Sequence, residues 1–203
     1  MGERPTDKRE LILQAAVRVF ARRGYRTCRV GEIAAEAGVS HGLLYHYFRS
    51  KDEVLETIFS ETWGRLLAEV TRLENSELPV LEQVRGIATR YLGSWSVQPD
   101  VIRVLVREVA RSPDVGRRVD DGAKVFLAVR RILEEGQRRG EIHADADPRL
   151  VTWVLYGALE EILTGWVLGR LPGEPEDVAR AVGTVVEVVG AGLAPDRQRV
   201  PAG

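Results

Sequence analysis

Residues 12–51 read ILQAAVRVFARRGYRTCRVGEIAAEAGVSHGLLYHYFRSK, and this stretch decides the fold. Its apolar residues recur every three or four positions, the helical period, with no sustained strand alternation. A first helix is expected over 7–23 behind Thr6 as N-cap, with Ile12, Ala15, Ala16, Val19 and Phe20 on one face. Gly24 would end it as a left-handed cap. A short second helix covers 30–37, Gly38 permits a sharp reversal, and a third helix follows Ser40 over 41–48. Ile33, Ala34, Ala37, Val39, Leu44 and Phe48 then share one apolar face, the pattern of a helix-turn-helix packed on the first helix. The opposite face of the third helix offers His41, Gly42, Leu43, Tyr45, His46 and Tyr47. That polar and aromatic surface suits a DNA groove, although an ordinary three-helix corner meets the same spacing.

Moving outward, Ser50-Lys51-Asp52-Glu53 has the capping-box pattern at the head of a long fourth helix. Later helices are expected over 80–97, 101–111, 115–139, 148–170 and 176–193, with breaks at Pro79, Pro99, Pro113, Gly140 and Pro172-Gly173. The fold class is therefore all-α, with about nine helices. A three-helix helix-turn-helix domain is expected over 1–51, and a second helical domain over 52–203.

Charge supports the division. The net charge of the 203 residues is -1, but residues 1–51 hold ten cations against five anions and the remainder is acidic. A basic head on an acidic body is what a phosphate-binding module on a soluble partner domain should look like. The chain is 44% apolar and 29% charged, as in a soluble globular protein. It has no uninterrupted apolar run of about eighteen residues, so no membrane partner is expected. Met1-Gly2-Glu3-Arg4-Pro5 leads into charged residues without a signal-like segment, and Cys28 is the single cysteine. A reducing cytoplasm is the expected location.

Catalytic and metal patterns are weak. No Ser-His-Asp order, glycine-rich phosphate loop or paired acid motif stands out, so neither an enzyme nor a bound cofactor is expected. His41 and His46 are five apart and do not share a helical face, and His143 stands alone, so no metal site is expected. Cys28 reads as a small packed thiol.

The run Ile12-Leu13-Gln14-Ala15-Ala16, Phe20, Gly24-Tyr25, Ile33-Ala34, Ala37-Gly38-Val39-Ser40, Gly42, Leu44-Tyr45, Tyr47-Phe48 and Ser50-Lys51 resembles the N-terminal signature of the TetR family of repressors. The resemblance implies an all-helical homodimer whose first three helices bind double-stranded DNA and whose remainder binds a small-molecule effector. It places Ser40, His41, Gly42 and Leu43 at bases or nearby phosphates, and Tyr45 and Lys51 at phosphates, with His46 and Tyr47 completing the exposed turn. Cys28-Arg29-Val30-Gly31 departs from the pattern, which often has Ser or Thr and then a basic residue there. The phosphate role falls to Thr27 or Arg29, and Gly31 leaves a base-proximal position without a side chain.

The last two helices are apolar on more than one side and must be buried on more than one side. A four-helix interface between two copies would do this, and so would a monomer core. The middle helices supply Tyr91, Trp95, Phe126, Trp153, Tyr156 and Trp166, while Arg103, Arg107 and Arg111 recur every four residues. Aromatic walls beside a cationic line suit an anionic amphipathic ligand. Arginines paired with surface acids would give the same line.

Gly140-Glu141-Ile142, Asp147-Pro148, Gly157-Ala158-Leu159-Glu160-Glu161 and Thr164-Gly165-Trp166-Val167-Leu168 resemble the C-terminal half of FadR-type repressors of fatty-acid degradation genes. That resemblance implies an acyl-CoA effector that releases a palindromic operator. A related repressor sensing a cationic drug or an aromatic acid stays open, as does a helical enzyme or binding module.

Overall fold

The computed structural model describes residues 7–109 and 120–195, and these contain helices and no strands. The elements are α1 (Lys8–Arg23), α2 (Val30–Ala37), α3 (His41–Tyr47), α4 (Lys51–Glu74), α5 (Val80–Val97), α6 (Pro99–Val109), α7 (Asp120–Arg138), α8 (Pro148–Val167) and α9 (Pro175–Leu193). Thr6 and Arg111 lie outside the described residues, and Asp7 caps α1 by accepting from Arg9 N at 3.0 Å. Proline at its first turn starts α8 behind Asp147, whose carboxylate accepts from Arg149 N and Leu150 N.

The chain divides into two compact units, with one boundary at the Pro99 break and another inside α4. Among the described residues, unit 1 holds 7–62 together with 99–109, and unit 2 holds 63–98 and 120–195. The head thus extends past residue 51 into α4 and takes in α6, which the division at 51/52 had placed with the effector domain. The cause is packing: α6 lies against α1, and its Ile102 and Val104 are buried. Arg107 Nη1 also donates to the Ala21 carbonyl at 3.2 Å, near the end of α1.

In unit 1, α1 packs on α2 through Ile12, Ala16, Phe20, Ile33 and Ala34, all nearly free of solvent contact. Gly38 adopts a left-handed conformation at φ +64°, and its N–H and that of Val39 close the end of α2 onto Ala34 and Ala35 carbonyls. A side chain there would be strained, so this glycine sets the reversal into α3. Leu44 and Phe48 then turn inward and are buried, as are Val54 and Phe59 of α4.

Within unit 2, α5 packs against α7, α8 and α9, and α7 packs on α8. Leu92, Leu133, Leu155 and Leu159 form the centre. The loop after α7 is fixed by Gln137 Nε2, which donates to the His143 and Ala146 carbonyls at 3.2 and 2.7 Å. His143 N and Nε2 in turn meet the Leu193 and Gly192 carbonyls at the end of α9.

Only one side of α8 is covered. Leu155, Leu159 and Leu163 are buried, while Leu150, Trp153 and Val154 are each more than 60% exposed. The helix is long and apolar enough to cross a membrane by length and composition, with 33% of its apolar window buried.

Candidate nucleic-acid interface and effector cavity

The exposed surface of α3 is built by its caps. Ser40 Oγ accepts from Leu43 N at 3.2 Å, which fixes the start of the helix, and Leu44 holds the underside in the core. Ser40, His41, Gly42, Tyr45, His46 and Tyr47 are left exposed on one short helix, with Leu43 half-buried. Tyr45 is 50% and Tyr47 37% exposed, although their rings meet those of His41 and His46. A dense hydrogen-bonding surface of this kind can read base edges and hold phosphates.

The residues before α2 also have roles within the fold. Thr27 is exposed, but its hydroxyl donates to the Arg23 and Gly24 carbonyls and so closes the end of α1. Arg29 is exposed, and its backbone N–H donates to Glu32 Oε2 at 2.8 Å, tying down the first turn of α2. Lys51, placed at a phosphate by resemblance, donates its ammonium to the Tyr25 and Cys28 carbonyls at 2.7 and 3.0 Å. The Cys28 thiol also donates to the Tyr25 carbonyl, at 3.4 Å. Cys28 is 4% exposed, and burial pushes its thiol pKa up despite the nearby ammonium. Burial also raises the Tyr25 phenol pKa, helped by its hydrogen bond to Asp52.

Exposed arginines border this surface, several of them paired. Arg18 and Arg22 both hold Glu36, and Arg23 reaches Glu32 at 3.3 Å. Glu36 therefore titrates below the usual carboxylate range, through its hydrogen bonds to Arg18 and Arg22. Such exposed pairs are weak and exchangeable.

Unit 2 contains a cavity of about 30 Å³ lined by Trp63 and Leu66 of α4, Ile87 and Tyr91 of α5, Val125, Phe126 and Val129 of α7, and Thr152, Leu155, Tyr156 and Leu159 of α8. Three of the aromatic residues expected at an effector, Tyr91, Phe126 and Tyr156, come together here. Trp153 is only an outer neighbour, 62% exposed with its ring 4.7 Å from that of Phe126.

Trp95 and Trp166 do not line the cavity. They stack on each other at 6.2 Å, and Trp95 Nε1 donates to the Gly173 carbonyl at 3.0 Å, so the pair clamps the α8–α9 turn. Arg103 and Arg107 do not line it either, and no arginine does among the described residues. Both belong to unit 1, where Arg103 Nη1 meets Asp100 Oδ1 at 2.6 Å. Sequence reading missed Trp63 and Leu66, because α4 reads as a connector and its burial depends on helices far along the chain.

Polar chemistry in the cavity is concentrated at one place. Tyr91 Oη donates to Glu160 Oε2 at 2.5 Å, and the Tyr91 and Tyr156 rings meet edge to face at 6.4 Å. Burial, with Glu160 nearby, holds the Tyr91 phenol pKa well above 10 and pushes that of Tyr156 up to about 12. The Thr152 hydroxyl is turned away to the Pro148 carbonyl at 2.7 Å.

Comparison with known proteins adds the following. Residues 12–58 match the family of bacterial regulatory proteins called tetR, and residues 80–185 match the tetracyclin repressor-like C-terminal domain. The fatty acid metabolism regulator protein of Bacillus subtilis is 26% identical over 184 residues, covering 90% of this chain and 93% of its own. The structure of the fatty acid degradation regulator FadR from Bacillus halodurans superposes with a TM-score of 0.83 at 26% identity, over 94% of this chain and 98% of its own. FadR from Bacillus subtilis in complex with stearoyl-CoA gives a TM-score of 0.81 at 25% identity, over 91% and 98% of the two chains.

Proposed function

Because the chain belongs to the TetR family of bacterial regulatory proteins, we propose that it is a repressor released from a palindromic operator by a long-chain acyl-CoA. Repression through DNA is the family's activity, and the relatives are transcriptional regulators rather than enzymes. The regulated genes would be those of fatty-acid degradation, and the protein would act in the cytoplasm as a homodimer.

The observation that carries the effector reading is the apolar cavity, walled by four helices with few polar atoms. At about 30 Å³ it holds one or two waters, so an acyl chain must part α4, α5, α7 and α8 to enter. Such a ligand favours an opened arrangement over this closed one, which is the requirement for a switch. α4 carries both Lys51 and the cavity residue Trp63, so one helix reports on each end. Coenzyme A phosphates call for cations, and Arg103 and Arg107 are proposed for them. The exposed Arg103–Asp100 pair contributes little and is open to exchange with phosphate.

The homodimer reading rests on Leu150 and Val154 of α8 and Val188 of α9, each about two-thirds exposed. A β-carbon at Gly157 or Gly183 would meet nothing within 4 Å, so a second copy has room to approach both helices closely.

A second reading has its own observation. The cavity lining lacks arginine, and Glu160 accepts a hydrogen bond from Tyr91 at its edge, an arrangement that suits a lipophilic cation. Operator release titrated with octanoyl-, lauroyl- and palmitoyl-CoA, the matching free acids and a lipophilic quaternary ammonium ion separates the two. Acyl-CoA affinity should climb with chain length, since each buried methylene contributes roughly 0.8 kcal/mol. Release by the cation, with no acyl-CoA active at micromolar concentration, would leave the repressor and overturn the fatty-acid reading.

A further inference from the structure

The imidazole of His41 occupies the space that a side chain at position 31 would fill. A β-carbon built on Gly31 would stand 2.7 Å from His41 Nε2, closer than real β-carbon contacts come, and a tight 3.3 Å from Cε1. His41 is exposed on the first turn of α3, and its ring meets that of Tyr45 at a steep angle with centroids 6.2 Å apart. The ring therefore leans on the bare first turn of α2 and on Tyr45.

Backbone geometry does not explain the glycine. The positive-φ glycines among the described residues are Gly24, Gly38, Gly140 and Gly169, so Gly31 holds an ordinary helical conformation that alanine adopts more readily. What the missing β-carbon provides is room for the imidazole. We propose that Gly31 is a specificity-positioning residue: it seats His41 so that the imidazole reads a purine edge, at N7 or O6, at one operator position. This rests on the DNA-binding reading of α3.

The test uses full-length protein and an operator recovered by selection from a random DNA duplex pool, followed by affinities for every single-base variant. Gly31→Ala must push the exposed, rotatable imidazole aside while leaving the helix intact, so its melting temperature should equal or exceed that of the wild type. His41→Ala should flatten discrimination at one position by about fivefold or more. Gly31→Ala should flatten the same position, and adding it to His41→Ala should change nothing further, because the clash is then gone. A Gly31→Ala protein that keeps full discrimination there, or loses it equally at all positions, overturns the positioning role while DNA binding stands. A wild-type protein that enriches no sequence overturns the DNA-binding reading, and this inference with it.

Discussion

Lys51 Nζ lies 2.7 Å from the Tyr25 carbonyl oxygen and 4.5 Å from the centre of the Tyr25 ring, so one ammonium on α4 holds the turn that leads into α2. A cation here braces the turn before α2, in addition to any phosphate it meets. Lys51→Ala should cost about 1–3 kcal/mol of unfolding free energy, the range for charged hydrogen bonds. It should also lower the slope of log affinity against log salt by about one phosphate. Melting curves and salt-dependent gel shifts read the two effects separately. An unchanged melting temperature would remove the anchoring role, and an unchanged salt slope the phosphate contact. Tyr45→Phe should weaken binding evenly across sequences.

Residues on α8 and α9 divide into those that build the subunit and those left for a partner. Val185 is 5% exposed and belongs to the subunit core, so Val185→Glu should unfold the chain. Val188 is 67% exposed, so Val188→Arg, combined with Val154→Glu, should give a folded monomer with normal helicity. Light scattering beside circular dichroism distinguishes these outcomes. A dimeric double variant would place the interface elsewhere.

Arg107 donates to the Ala21 carbonyl within unit 1 and does not line the cavity. Arg107→Ala should therefore weaken operator binding in the absence of any effector, by a few-fold for one lost hydrogen bond of about 1 kcal/mol. Unchanged operator affinity, together with a loss of acyl-CoA response alone, would show that its guanidinium serves the ligand only.

Filling the cavity should separate response from repression. Val125→Phe or Val129→Phe places a ring where only about 30 Å³ is open. Overpacking of this kind costs about 1–3 kcal/mol, which a stable domain tolerates. The variants should bind the operator as the wild type does and fail to release it with acyl-CoA. Normal release would show that the ligand enters by another route.

The buried phenols set an alkaline limit. Tyr156 ionises at about 12 in the folded chain, against 10 for an ordinary tyrosine, because burial and then Glu160 disfavour its charge. A pKa raised by folding stabilises fully below the unfolded value and is lost as pH rises through the folded one. Stability should thus fall between pH 10 and about 12, and Tyr156→Phe should fall less over the same interval. Thermal melts of both proteins across that range measure the difference. Equal losses would show that the phenol is not buried against Glu160.

Much of the chain is legible without coordinates because helix signals are local. Asp147-Pro148 marks the start of α8, and Gly38 and Ser40 bracket the turn before α3. The spacing of Ile33, Leu44 and Phe48 already gives the inward faces. The exposed face of α3 follows from the same locality, since once Leu44 and Phe48 turn inward, His41 and Tyr45 must turn out. Their chemical employment is less legible. Lys51 and Tyr25 are 26 positions apart, and only folding brings the ammonium onto that carbonyl.

The sequence by itself determined the all-helical class, the helix-turn-helix, the capping at Ser40 and the apolar character of α8 and α9, because each depends on residues within a few positions of one another. Tertiary structure alone decided that α6 joins the head, that Trp95 and Trp166 clamp a turn, and that Trp63 closes the cavity. It also decided that His41 rests on Gly31. Periodicity reports that a residue faces inward but not what it faces. An arginine or tryptophan on a helix takes its role from whichever element packing places opposite it.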